Sequence, residues 1–296
     1  MTMREAATST IVDLFRRDER VALVLADISL DYLRPAVEHD PSRAINVGIM
    51  EQSAVGIAAG FALEGYHPIV HTLAPFLAER PLEQIKLDFG YQGLGGLFVS
   101  VGAAYDYGES GATHHAPGGV QVLGSIPRME VLVPGTPQET RGLVERAYAN
   151  GHPTYLRTSV FENDEAVELA PGGLTPIRRG SDVTVVVAGP FLSRTLAALH
   201  GIDATVLYAT TLVPLDRATL AREAAQAAEV VLVEPLYEGT TAAQITDALV
   251  HRPTRLLSIG VPRRFIHGYG KADEHDRALG LDITSIRERI RAFLDD

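Results

Sequence analysis

The sequence predicts an α/β protein of two domains, each a mostly parallel sheet flanked by helices. Three observations carry that reading. Short, continuous apolar runs recur along the chain with amphipathic stretches between them. Strands read this way when helices cover both faces of their sheet. The chain has 296 residues, 46% of them hydrophobic, which is enough to bury two cores. The composition also shifts between Phe161 and Gly180. Glu162-Asn163-Asp164-Glu165 is polar, and Pro171-Gly172-Gly173 punctuates the chain before Arg178-Arg179-Gly180 leads into a new strand. That stretch reads as an interdomain linker, so the domains are placed at residues 1–165 and 175–296.

Val21–Ala26 is the first buried strand and ends at Asp27. A second apolar strand ends at Thr72, with a helix expected after it. Gly96–Val101 and Val131–Val133 follow, and Thr136-Pro137-Gln138-Glu139 then marks a helix start. A threonine caps it, a proline sits in the first turn, and a glutamate lies three residues after the cap. The second domain offers Val183–Ala188, Ala204–Tyr208, Val230–Val233 and Arg255–Ile259. Gly93, Gly95 and Gly96 precede a strand rather than joining a strand to a helix, so they make no dinucleotide fingerprint, and the chain has no P-loop.

Composition excludes several functions. The net charge of -11 argues against nucleic acid or an anionic membrane as partner, since both need clustered positive charge. There are no cysteines, hence no disulfide, thiolate metal site or thiol nucleophile. Met1–Arg20 is charged and periodic, unlike a signal peptide. No uncharged apolar stretch has bilayer-spanning length. A cytoplasmic setting fits.

Three segments could carry chemistry. Glu51 begins a run of small and apolar residues, Ala54 to Gly60, spaced for a tightly packed helix. Desolvation there favours the protonated acid of a proton donor or shuttle. A helix N-terminal glutamate favoured by the dipole is the plainer alternative. His114 and His115 stand in Ser110-Gly111-Ala112-Thr113-His114-His115-Ala116-Pro117-Gly118-Gly119. Glycines and a proline make that segment a loop, either structural or placed for acid–base work near neutral pH. Two adjacent histidines without nearby cysteine or a matched carboxylate are weak evidence for a metal, and no metal site is read. Phe76, in Thr72-Leu73-Ala74-Pro75-Phe76, offers a ring to a flat heterocycle or to the core.

Together the segments INVGIMEQSAVGIAAGFALEG, TLAPFLAERPLEQIK, SGATHHAPGG, LVPGTPQE and TYLRTS resemble, in order and spacing, the C-terminal half of transketolases. The match resembles the stand-alone second subunit of two-component transketolases. The likeness covers about residues 4–160. Over the second domain it rests on the strand–helix pattern and on VPLD and GVPRRFIHGYG. It implies a pyrimidine-binding domain for thiamine diphosphate followed by a transketolase C-terminal domain.

By that resemblance Glu51 shares a proton with the cofactor's pyrimidine nitrogen, while Phe76 stacks on the aminopyrimidine with an aliphatic Leu73 beside it. Asp27 to Asp31, with Asp27 and Ser29, forms a loop near the cofactor and the acceptor's phosphate. His114 faces substrate oxygens, and Arg157 and Arg4 bind the substrate phosphate. Ser110 stands where relatives carry an aspartate that recognises the acceptor, and Gly102 stands where some have a histidine. The acceptor therefore need not be a standard aldose.

No Gly-Asp-Gly occurs, so the diphosphate and its Mg²⁺ are expected to be held mainly by a separate alpha subunit, in an α2β2 assembly. The implied reaction moves a two-carbon ketol unit from a ketose to an aldehyde. The alternatives are the beta subunit of a 2-oxo acid dehydrogenase first component, a deoxyxylulose-phosphate-synthase-like subunit, or a non-catalytic scaffold. Glu234 reads as structural, contributing to subunit contacts, and His267 as a surface-loop residue.

Overall fold

Runs of valine, leucine and alanine form the central strands of two sheets in the computed structural model, which describes residues 1–296. The first sheet holds β1 (Val21–Leu25), β2 (Ala44–Asn46), β3 (His67–Leu73), β4 (Gly96–Val101), β5 (Glu130–Leu132) and β6 (Pro153–Arg157). The second holds β7 (Leu174–Arg178), β8 (Val183–Ala188), β9 (Ala204–Ala209), β11 (Glu229–Tyr237) and β12 (Arg255–Val261), with β10 (Thr211–Val213) running to the first sheet. The orders are β10-β5-β6-β4-β3-β1-β2 and β12-β11-β8-β9-β7. All pairings are parallel except β10 with β5 and β7 with β9. Every residue of β1, β4, β6, β8 and β9 is buried, as expected for sheets covered on both faces.

Helices α1 (Met3–Arg17), α2 (Leu30–His39), α3 (Glu51–Leu63) and α4 (Ala74–Ala78) belong to the first sheet. Helix α1 opens with a capping box between Thr2 and Glu5 and buries Ala7, Ile11, Leu14 and Phe15. The threonine cap expected at residue 136 is present. Thr136 Oγ1 accepts from the Glu139 amide at 3.2 Å, and Pro137 opens the helix Pro137–Ala147.

The linker does not isolate the two sheets. Strand β10 joins the first one, and the Val133 amide donates to Thr210 O at 2.7 Å. A single buried apolar cluster then runs from Val24 and Val70 through Val131 and Val133 to Leu207, Leu212 and Leu232. Packing of that extent makes the two sheets one body. No helix is long and apolar enough to cross a membrane.

Candidate active site

The loops carrying the candidate residues leave the C-terminal ends of parallel strands. Strand β1 leads to Asp27 and Ser29, β2 to Glu51, β3 to Phe76 and β4 to His114, while β6 ends on Arg157. The chain runs from β1 out to the edge strand β2, then back past β1 to β3. The winding therefore reverses between β1 and β3, and crevices at such switch points are where open parallel sheets bind ligands. Asn46 fastens the two loops there. Its Oδ1 accepts from the Asp27 amide at 3.0 Å and the Gly48 amide at 3.1 Å. Asp27 itself is exposed, with φ +67°.

Glu51 is the first residue of α3 and only 2% exposed. Both its oxygens accept from Nη1 of Arg80, at 3.0 and 2.9 Å. The same guanidinium lies 3.7 Å over the Phe76 ring. The ring in turn meets the edge of His114, centroids 5.3 Å apart at 69°. Thr113 Oγ1 holds His114 Nδ1 at 2.9 Å. Glu51, Arg80, Phe76 and His114 thus form one row, flanked by half-buried Leu73 at the end of β3. Glu51 is buried as expected of it, but it is not alone. A buried carboxylate needs a counter-charge, and Arg80, just past the end of α4, supplies one. The set still fits a flat heterocycle with a protonatable nitrogen: an acid and an aromatic face meet through Arg80 at the crevice.

A second network is buried behind this row. Val99 O can only accept, so His71 Nδ1 carries the proton of their 2.9 Å bond. Burial pushes the His71 pKa down to about 4, leaving Nε2 an acceptor for the Ser29 hydroxyl at 2.7 Å. Ser29 Oγ accepts in turn from Arg4 Nε at 3.1 Å. The substrate role expected of Ser29 is corrected by this arrangement. Ser29 is buried and its hydroxyl proton is directed to His71, so its place is that of a prop for Arg4. Arg4 also lies 5.1 Å over Tyr32.

Arg157 departs furthest from expectation. It is 1% exposed. Nη1 and Nη2 both donate to Pro235 O at 3.2 Å, and Nη2 also reaches Ala116 O at 3.5 Å. Strand β6 delivers it into the junction between the sheets, where carbonyls of β11 and of the histidine loop need a donor, and not into an open phosphate pocket. Asp106 lies close by, with its pKa pushed up to about 7 by burial. It accepts from the Ala103 amide, Ser159 Oγ and the Val160 amide at 2.8, 3.0 and 2.9 Å, which fixes the β4 loop to the exit of β6.

The paired histidines point to different surroundings. His114 faces Phe76. His115 turns inward, 5.7 Å from His275, and its Nε2 is buried without a partner. Ser110 is exposed on the loop. A cavity of about 220 Å³ beside it is lined by Glu79, Ala112, His115, Tyr237 and Phe265, which brings the second domain against the loop. The reading of Glu234 as a subunit contact is also corrected. Glu234 is fully buried and accepts from the Thr240 amide at 2.7 Å and Thr241 Oγ1 at 2.9 Å, so it faces no neighbour.

Sequence reasoning missed Arg80 and His71. Arg80 sits four residues after Phe76, a spacing at which side chains meet along a helical turn. His71 is a polar ring in the middle of a buried strand, where burial demands partners.

This fold and this row of side chains define a protein class, the pyrimidine-binding half of thiamine-dependent enzymes with its C-terminal companion domain. The transketolase pyrimidine-binding domain family matches residues 1–162, and the transketolase C-terminal domain family matches residues 172–286. The chain belongs to the transketolase family.

An uncharacterised 33.6 kDa protein of the fasciation locus of Rhodococcoides fascians is 42% identical over 295 residues, covering 99% of this chain and 95% of that one. The B subunit of the apulose-4-phosphate transketolase of Phocaeicola vulgatus is 30% identical over 279 residues, covering 90% and 89%. The 1-deoxy-D-xylulose-5-phosphate synthase of Azoarcus is 32% identical over 262 residues, but this chain spans only 42% of its length. Among solved structures, a split-gene transketolase described as an inactive beta4 tetramer superposes with a TM-score of 0.86 at 26% identity, covering 100% of this chain and 98% of that one.

Proposed function

We propose that this chain is the pyrimidine-binding subunit of a thiamine-diphosphate-dependent transketolase. It transfers a two-carbon ketol unit from a ketose to an aldehyde acceptor, and it acts only with a partner subunit that holds the diphosphate and Mg²⁺. The observation that carries this is the convergence of Glu51, Phe76 and His114 at the β1/β3 switch point. When bound, thiamine diphosphate supplies the nucleophilic carbon that carries the transferred unit. Glu51 holds a proton at the pyrimidine nitrogen, and Phe76 and Leu73 orient the ring. His114, steadied by Thr113, hydrogen-bonds the sugar oxygens with Ser110 beside it, and Arg4 offers its free nitrogens to a phosphate. We place the pyrimidine-binding domain at residues 1–165 and the C-terminal domain at 175–296.

The partner dependence has support on the surface of α3, the helix that Glu51 begins. Ile49, Met50, Ile57 and Leu63 are exposed along it, with Leu87 and Tyr91 next to them. Gly56 and Gly60 also face outward, and a Cβ built on either meets nothing within 4 Å. Internal packing therefore does not require glycine there, although each costs about 1 kcal/mol of helix propensity. Close approach by another backbone accounts for them. A split-gene transketolase's beta chains form an inactive tetramer, which fits an active form that needs a partner; we place that form as α2β2 in the cytoplasm.

The test is Glu51→Gln in the complex reconstituted with the diphosphate-binding subunit. Ketol transfer should fall by orders of magnitude while assembly persists. Unchanged turnover would favour the scaffold reading.

A further inference from the structure

The guanidinium of Arg80 occupies both contacts that the proposed function gives to the cofactor's aminopyrimidine. It is planar and cationic. It bonds both oxygens of the Glu51 carboxylate, at 3.0 and 2.9 Å, and it lies 3.7 Å over the centroid of Phe76. A protonated aminopyrimidine offers the same two features, a flat face and an N–H for the acid. Both partners are fixed in place, Glu51 by burial at the start of α3 and Phe76 by the short helix α4. Arg80 is the more exposed partner of the ion pair. It lies in the turn after α4 and is 39% exposed, with no other hydrogen-bond partner or ion pair.

We propose that Arg80 is a built-in placeholder for the cofactor ring. It neutralises Glu51 and covers Phe76 while the subunit lacks cofactor, and it swings outward when the aminopyrimidine arrives. The device solves a problem peculiar to a subunit that holds half a site. Before assembly a buried carboxylate would stand unpaired, a state that is costly. With Arg80 in place both oxygens of the buried Glu51 carboxyl have a partner in the isolated chain, and the crevice stays closed to adventitious cations. The cost is competition, because the cofactor must displace an ion pair to bind. This rests on the proposed function, and the two can fail separately.

The experiment is calorimetric titration of thiamine diphosphate, with Mg²⁺ present, into the reconstituted complex carrying wild-type chain, Arg80→Met, Arg80→Lys or Glu51→Gln. Thermal melting of each chain checks that it folds. Glu51→Gln should weaken binding, and unchanged affinity there would sink the proposed function itself. If Glu51→Gln weakens binding, Arg80→Met should bind the cofactor about threefold to tenfold more tightly, the range for a half-exposed charge-assisted contact. Arg80→Lys keeps the charge without the flat face and should fall between wild type and Arg80→Met. Methylguanidinium added to the Arg80→Met complex should weaken cofactor binding again by refilling the place. Arg80→Met binding equal to or weaker than wild type, or no effect of methylguanidinium, overturns the placeholder and makes Arg80 a support of the loaded site. Should Arg80→Met not fold, the Arg80→Lys shift alone decides, in the same direction.

Discussion

The phenol of Tyr208, on β9 of the second sheet, donates to Glu139 Oε2 of the first domain at 2.7 Å. Glu139 also accepts from the Gly135 amide at 2.8 Å and the Val167 amide at 3.0 Å. One buried carboxylate thus ties a helix start, the linker and the second domain together. A Cβ on Gly135 would collide with the Tyr208 hydroxyl and the Asn163 amide, so the junction has no slack. Tyr208→Phe should cost about 2 kcal/mol, the value of a buried bond to a charged acceptor. Urea unfolding measures it, and a loss under about 0.5 kcal/mol would mean that the tie adds little.

Arg157→Ala separates two roles for one residue. As a junction tie, its loss leaves Pro235 O and Ala116 O without their donor and opens a cavity, which together cost about 3–5 kcal/mol. Denaturation of the isolated chain should show this directly. A phosphate ligand would behave otherwise, with stability unchanged and KM raised only for phosphorylated substrates.

Gly102→His would restore the histidine that some relatives carry. Gly102 has φ +77°, and a Cβ there would run into the Tyr107 ring. Tyr107 thus fills the place a histidine would take. The substitution should destabilise by about 2–3 kcal/mol through left-handed strain and overpacking, and it should not gain activity on standard aldoses. A stable variant with new activity would show that Tyr107 yields.

His71 gives the chain a pH signature. Its folded pKa, about 4, lies below the free value of about 6.5. Between these values the unfolded chain binds the extra proton, so acid favours unfolding. The His71 contribution is intact above about pH 6.5 and is lost as pH falls toward 4, about 3 kcal/mol in all. Buried Asp106 and Glu234, both pushed up to about 7, act with the opposite sign over an overlapping range. The clean measurement is therefore the difference between wild type and His71→Gln in urea at pH 7 and pH 4. That difference should shrink by about 3 kcal/mol, and a constant one would contradict the buried neutral ring.

The central strands were legible because burial on both faces leaves an unbroken apolar run, as in Val183–Ala188 and Val230–Val233. Strands β2 and β10 were not. Each has three residues, and β10 pairs with β5, far upstream of it in sequence. Strand β7 carries Pro176 and lies at an edge, so its pattern is weak. In the site, Glu51, Phe76 and His114 were readable as a family pattern, and the structure brings them together. Arg80 was hidden because a charged residue after a short helix reads as solvated surface. Arg157 was misplaced because sequence position alone does not say whether a strand end opens to solvent or into a domain junction.

We place the cofactor site between this chain and a partner. Calorimetric titration of thiamine diphosphate and Mg²⁺ into the isolated chain and into the assembled complex tests it most directly. Tight binding confined to the complex is the predicted result. Absence of binding in a well-folded complex would contradict the account and leave Glu51 and Phe76 as relics in a scaffold.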